Sequence, residues 1–98
     1  MIAILWRYEV RPERVADFER AYRTDGDWAQ LFAKAAGYLG TELLREREDI
    51  YLTIDRWRAR EDFDAFLAAH RQAYDALDKV CDGWTIAETR LGLFEAIA

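Results

Sequence analysis

His70 and Tyr74 are the side chains of this sequence best placed for proton-transfer chemistry. His70 is the only histidine in the chain, and it lies on a stripe of residues that recur at steps of three and four: Phe63, Phe66, Leu67, Tyr74, Leu77 and Cys81. That spacing predicts one face of an α-helix. A partly buried imidazole that titrates near neutrality can remove a phenolic or enolic proton. It can equally stay neutral as a core residue that hydrogen-bonds a neighbour, and the sequence leaves both interpretations open.

Several aromatic side chains are candidates to contact a ligand. Tyr74 follows His70 by one helical turn, so it can share a proton with His70 or bind the same ligand. Flat aromatic substrates stack on aromatic rings. The candidates for substrate binding are therefore Trp6, Tyr8, Trp28, Trp57 and Phe66. Each of these rings can instead fill the core, which is the ordinary role of a buried aromatic residue.

Charged residues on the predicted strands have two interpretations as well. Arg7 and Glu9 share one face of the first strand, whereas Asp55 and Arg56 lie on opposite faces of another. A charged group that points into an internal cavity would indicate ligand binding. The alternative is that these residues form ion pairs at the rim of an interface.

The composition excludes several classes of active site. The chain has no serine and no asparagine, so it cannot hold a serine-based triad. One histidine and one cysteine cannot supply the clustered ligands of a zinc site, and the five glycines are scattered rather than gathered in a phosphate-binding loop. A metal site built from carboxylates alone stays open, no other metal site or cofactor is predicted, and Cys81 is expected to be an inert buried thiol.

The charge of the chain also limits its partners. A net charge of -5 and a pI near 4.8 disfavour binding to nucleic acid or to anionic membranes. The longest apolar stretch, residues 1–6, is too short to span a bilayer, and no cleavage-type sequence follows it. These features predict a cytoplasmic protein with no membrane partner.

The hydrophobic periodicity predicts one domain over residues 1–98. An alternating first strand covers residues 2–10, and Pro12 then begins a helix that the Asp25-Gly26 turn interrupts before a short helix near Trp28. Two strands at residues 38–47 and 50–57 form a hairpin, followed by a long helix at 60–79 and a last strand at 90–97. Residues 84–89 are ambiguous between loop, short helix and extended chain.

This order predicts an α+β fold of the ferredoxin-like type. A βαββαβ chain with right-handed crossovers forms a four-stranded antiparallel sheet with both helices on one face. The other sheet face would be bare although it carries apolar side chains such as Leu5. Bare apolar sheet of this size is usually covered by a partner, so we expect a homodimer that packs sheet against sheet.

Four stretches together resemble the antibiotic biosynthesis monooxygenase family of the dimeric α+β barrel superfamily. They read ILWRYEVRPERVADFERAY, GYLGTELLRE, YLTIDRW and REDFDAFLAAH, and the resemblance covers nearly the whole chain. It implies two ferredoxin-like subunits that close a barrel through their sheets, each with a cavity between its sheet and its helices. It also implies a monooxygenase that needs neither metal nor flavin and acts on a small electron-rich aromatic or polyketide-like substrate.

The resemblance implies roles for the candidate residues. His70 would be the base, Tyr74 or an arginine would donate a hydrogen bond to oxygen, and the tryptophans and Phe66 would form apolar walls around a small apolar or aromatic ligand. The haem-degrading branch of the superfamily uses an asparagine that this chain lacks, which disfavours haem cleavage. The alternative is a non-enzymatic barrel that binds a small ligand or is purely structural, its cavity filled by its own aromatic rings.

Overall fold

The computed structural model describes residues 1–97, which form four strands and three α-helices. The strands are β1 (Ile2–Val10), β2 (Tyr38–Arg47), β3 (Ile50–Trp57) and β4 (Thr85–Glu95). The helices are α1 (Val15–Tyr22), α2 (Asp27–Phe32) and α3 (Arg60–Cys81). Short 3-10 helices at Pro12–Arg14 and Asp82–Trp84 lead into α1 and β4.

The four strands form one antiparallel sheet in the order β2-β3-β1-β4. This is the ferredoxin-like topology, and it confirms the fold predicted from the element order. The alternate residues of β1 that were predicted to share a face include Ile2, Ile4, Tyr8 and Val10, all of which are buried. Their side chains pack in one core with residues of α1, α2 and α3, so the helices cover a single face of the sheet.

The turn between α1 and α2 requires a glycine. A Cβ atom at Gly26 would lie 2.5 Å from the carbonyl oxygens of both Arg20 and Ala21, a distance that no side chain tolerates. The absence of a side chain therefore lets α2 begin close against the end of α1. This close approach places Trp28 of α2 beside Tyr22 of α1, with their ring centroids 6.0 Å apart.

Helix α3 is bent at His70. This residue has φ -125° and ψ 26°, outside the helical region, and helical geometry resumes after it. The segment before the bend contributes Phe66 to the core, and the segment after it contributes Tyr74 and Cys81. The helix ends at Cys81, two residues later than the sequence predicts, and Cys81 is buried as expected.

The last strand begins earlier than predicted, because the ambiguous segment 84–89 is mostly extended. Strand β4 spans eleven residues, and its first half pairs with the end of β1. A register shift between Leu5 and Trp6 of β1 leaves Leu91 as an extra residue of β4. The bulge reverses the alternation along the strand, so a strict period of two could not be followed through it. Ile97, predicted to end the strand, lies beyond it.

None of the helices in residues 1–97 has the length and apolar character needed to cross a membrane.

Candidate functional site

A cavity of about 60 Å³ lies between the inner face of the sheet and the helices. Its walls are mainly aromatic rings, from Trp6, Tyr8, Tyr22, Trp28, Phe32 and Tyr74. Its polar lining comes from Thr41, Thr53, Asp55, Asp78 and Glu88. The site therefore combines flat apolar walls with three carboxyl groups, and no lysine or arginine of residues 1–97 is part of its lining.

Asp55 is positioned by the pairing of β2 with β3. It lies directly opposite Thr41 in the sheet, and the Thr41 hydroxyl donates a hydrogen bond to Asp55 Oδ1 at 2.7 Å. The Tyr38 hydroxyl is 2.6 Å from the same Thr41 oxygen. Because Thr41 uses its only proton on the carboxylate, Tyr38 donates to Thr41. The two hydroxyls thus form a chain that ends on one oxygen of Asp55.

The environment of Asp55 makes it a stronger base than an ordinary aspartate. Burial raises the pKa of Asp55 from its usual 3.8 to about 6, and the hydrogen bond from Thr41 partly opposes that rise. A carboxyl with this pKa is mostly ionised at neutral pH, yet it accepts a proton more readily than a solvent-exposed aspartate does. Such a group in an aromatic-walled cavity is a candidate general base.

Asp78 of α3 and Glu88 of β4 are the exposed carboxyl groups of the cavity lining. Burial raises the pKa of Glu88, and the nearby negative charges of Asp78 and Asp82 raise it further. Burial likewise raises the pKa of Asp78, with Asp82 and Asp75 adding to the effect and Arg71 opposing it. Both groups therefore lie in a region of negative potential.

The phenols of the cavity are held in their protonated form. Burial raises the pKa values of Tyr8, Tyr22 and Tyr74, so each hydroxyl remains a hydrogen-bond donor at neutral pH. Thr53 donates a long hydrogen bond of 3.4 Å to the Tyr8 oxygen, which leaves the proton of Tyr8 itself available. Trp28 is 7% exposed, and its buried indole Nε1 has no acceptor within residues 1–97.

Four of the residues predicted from the sequence line the cavity together. Trp6 and Tyr8 reach it from β1, Trp28 reaches it from α2 and Tyr74 reaches it from α3. Tyr74 packs edge-on against Trp28, with ring centroids 5.0 Å apart. The structure therefore brings Tyr74 and three of the predicted aromatic walls to one place.

The other three predicted residues lie elsewhere. Trp57 is fully buried in the core, where its ring contacts Phe32, Phe63 and Phe66 at centroid distances of 5.3 to 5.5 Å. Phe66 is 2% exposed and belongs to the same cluster. Neither residue is part of the cavity lining.

His70 also lies outside the cavity lining. It is half-buried at the bend in α3, and its ring is 5.3 Å from the ring of Phe66. His70 therefore stays beside Phe66 of the predicted stripe, but it does not reach the cavity that Tyr74 lines. The structure thus gives His70 an aromatic neighbour but no contact with the other candidate residues at the site.

Asp55 is the most consequential of the lining residues that sequence reasoning did not select, the others being Tyr22, Phe32, Thr41, Thr53, Asp78 and Glu88. The alternation of β3 contained the signal, because Tyr51, Thr53, Asp55 and Trp57 share one face and that face is inward. The sequence left open whether Asp55 points into a cavity or lies at an interface rim, and the structure shows that it lines the cavity. The partner that holds it, Thr41, is distant in sequence and could be found only from the strand register.

Comparison with known proteins identifies the family. The sequence profile described as antibiotic biosynthesis monooxygenase matches residues 1–76. The chain belongs to this family. The match confirms the resemblance found in the sequence, and it includes Asp55 and Tyr74. Asp78 and Glu88 follow the matched segment.

Solved structures similar to this monooxygenase-family chain share its fold. SnoaB from Streptomyces nogalater, described as a cofactor-independent oxygenase, is 22% identical with a TM-score of 0.74, over 99% of this chain and 93% of SnoaB. A putative antibiotic biosynthesis monooxygenase from Nitrosomonas europaea is 14% identical with a TM-score of 0.75, over 100% of both chains. An MhuD mutant crystallised with manganese protoporphyrin IX is 19% identical with a TM-score of 0.68, over 100% of this chain and 96% of MhuD. No protein with curated annotation matches the sequence significantly.

Proposed function

We propose that this protein is a cofactor-independent oxygenase that acts on a small electron-rich aromatic substrate, with Asp55 as the general base. The observation that carries the proposal is the position of the Asp55 carboxylate in an aromatic-walled cavity, with one oxygen fixed by Thr41. SnoaB, which has the same fold, is described as a cofactor-independent oxygenase. Fold likeness alone does not carry chemistry between proteins, so the cavity residues are the main support.

The reaction needs a base and an environment that excludes water. Triplet oxygen reacts slowly with closed-shell molecules, but a phenolate or related carbanion can give it one electron. Asp55 removes the substrate proton, and the anion passes an electron to oxygen to form superoxide and a substrate radical. The two radicals combine through a new C–O bond, and protonated Asp55 returns its proton to the peroxide. Loss of water then breaks the O–O bond and leaves a carbonyl, so substrate CH2 and O2 yield C=O and H2O.

The remaining cavity residues have supporting roles in this proposal. Trp6 and Trp28 form the flat walls that orient the substrate ring. The hydroxyls of Tyr8 and Tyr74 donate hydrogen bonds to the oxygen on which negative charge develops. We assign the base to Asp55 rather than His70 because a base must reach the proton that it removes, and His70 does not line the cavity.

The size of the cavity favours a second candidate function. Pockets for drug-sized ligands usually have volumes of about 300 Å³ or more, whereas this cavity has about 60 Å³. In the described conformation it admits one small group or the edge of one ring, and a fused-ring substrate requires the surrounding side chains to move. The alternative is therefore a barrel that binds a small ligand without turnover, or one whose aromatic rings largely fill its own interior.

Oxygen uptake tests the proposal. Purified protein is incubated with a panel of hydroxy-anthrones, and the same assay is run with Asp55→Asn and with His70→Ala. We expect uptake by the unaltered protein, loss of about 100-fold or more in Asp55→Asn, and much smaller loss in His70→Ala, as general base catalysis contributes about 10²- to 10⁴-fold. Equal uptake by the Asp55→Asn variant would rule out this base. A ligand retained in native mass spectrometry without any uptake would instead support the non-enzymatic candidate.

A further inference from the structure

The cavity of this protein has negative charge that the protein does not balance. Asp55, Asp78 and Glu88 all contribute to its lining. None of the three forms an ion pair with a lysine or arginine within residues 1–97. Arg71, the one basic residue whose charge acts on Asp78, pairs with Asp75 at 3.3 Å instead. A ligand that enters the cavity therefore meets a negative electrostatic potential.

The walls around these carboxyl groups suit a cation of a particular kind. Six aromatic rings line the cavity, and the negative faces of such rings attract ammonium groups. Metal ions need several hard ligands at close range, but nowhere in residues 1–97 do three histidine, cysteine, aspartate or glutamate side chains come together in that way. Dispersed carboxylates among rings are instead the arrangement that recognises organic ammonium ions.

The volume of the cavity agrees with an ammonium group. An engineered cavity of about 150 Å³ is known to bind benzene, and the present cavity has about 60 Å³. A head group of a few heavy atoms fits that space without movement of the walls, whereas the aromatic ring attached to it enters only if the walls move. The carboxyl groups at the exposed end, from Asp78 and Glu88, would meet the cation as it enters.

We propose that the substrate of this cavity carries a protonated amine or quaternary ammonium group, which Asp55, Asp78 and Glu88 attract and the surrounding aromatic rings enclose. The inference rests on the proposed function and names its substrate class: an electron-rich phenol that bears a cationic side chain. This charge also removes a difficulty of the chemistry. A phenolate formed beside three carboxylates is repelled, but the phenolate of a protonated amine has no net charge.

Three probes that share a phenol ring separate charge from shape. Tyramine is cationic, 4-ethylphenol is neutral and 4-hydroxyphenylacetate is anionic at pH 7.5. Each is titrated into the protein by calorimetry. Indole N–H resonances report where the probe binds, because Trp6 and Trp28 line the cavity whereas Trp57 and Trp84 do not. We expect tyramine to bind about tenfold more tightly than 4-ethylphenol, and the anionic 4-hydroxyphenylacetate to bind most weakly of the three. Bound tyramine should shift only the indole signals of Trp6 and Trp28.

Matched variants show which carboxyl group attracts the cationic probe. Asp55→Asn should weaken the binding of tyramine about tenfold more than it weakens the binding of 4-ethylphenol, since it removes one charge and preserves the shape of the side chain. Asp64→Asn removes an equal charge from an exposed position of α3 outside the cavity, and we expect it to have no effect. Glu88→Gln should have a smaller effect than Asp55→Asn, because Glu88 is exposed.

The outcomes distinguish this inference from the proposed function. Equal binding of tyramine and 4-ethylphenol, tighter binding of the anion, or no binding of any probe at millimolar concentration would overturn the inference. Selective binding of tyramine without oxygen uptake from any amine-bearing phenol would retain the cation site and reject the oxygenase. Oxygen uptake with neutral hydroxy-anthrones and no preference for the cation would retain the oxygenase and reject the inference.

Discussion

At the scale of the single residue, Asp55 shows how a site can oppose stability. Burial penalises the charged form of a carboxyl. The folded protein is therefore more stable when a buried aspartate is protonated than when it is ionised. The protein nevertheless keeps Asp55 on the inner face of its sheet, between Thr53 and the fully buried Trp57. Residues that lower stability at such a position are commonly retained for function. The conflict between burial and charge is therefore itself a reason to examine Asp55.

The pH dependence of the free energy of unfolding measures how much the ionised Asp55 carboxylate destabilises the folded protein. The pKa of Asp55 is raised from 3.8 to about 6 by folding. Between these two values the folded state binds more protons than the unfolded state, so the contribution of Asp55 to stability falls as pH rises and is constant above about pH 6. Asp55→Asn should therefore raise the free energy of unfolding at pH 8 by an amount on the order of 2 kcal/mol. At pH 3.5 the same substitution should change the free energy of unfolding little. Urea unfolding at both pH values gives the comparison, and destabilisation at pH 8 would contradict it.

At the scale of the secondary-structure element, the strand register determines which groups meet. Alternation within β1 predicted its inward face correctly, because β1 is a regular strand in the centre of the sheet, whereas the inward face of β3 was left open. The hydrogen-bonded pair of Thr41 and Asp55 could not be predicted, because fourteen residues and the hairpin register separate them. The bulge in β4 and the bend in α3 each break a period that the sequence suggests.

The pairing of β2 with β3 brings Thr41 to Asp55, and we expect this contact to control the pKa of Asp55. Thr41 stabilises the charged form of Asp55 by donating a hydrogen bond to it, so Thr41→Val should raise the pKa of Asp55 further. Thr41→Ser keeps the hydroxyl and should restore the original value. The carboxyl ¹³C shift of Asp55, followed by NMR as a function of pH, measures the pKa directly and without any substrate. The same pKa in Thr41→Val and in the unaltered protein would show that the hydrogen bond does not control the base.

At the scale of the whole molecule, the outer face of the sheet carries apolar side chains among charged ones and has no helix over it. Leu44 of β2 and Phe94 of β4 are 43% and 48% exposed on this face, and Leu5 and Ile54 lie half-buried between them. Cross-strand ion pairs, such as Arg7 with Glu46, add charge to the apolar surface. A two-fold interface can cover this face by using the same patch twice, and paired charges at its edge would fix the orientation.

We therefore expect a homodimer in solution that buries the outer sheet face. Sedimentation at micromolar concentration should give twice the subunit mass of 11.5 kDa. Ile54 lies on β3, between Leu5 of β1 and Glu42 of β2, near the centre of the face. Ile54→Glu should yield monomers, because it places an unpaired charge in the interface. Val80→Glu adds the same charge at an exposed position of α3 and should remain dimeric. A monomeric unaltered protein, or a dimeric Ile54→Glu variant with native circular dichroism, would show that this face is not the interface.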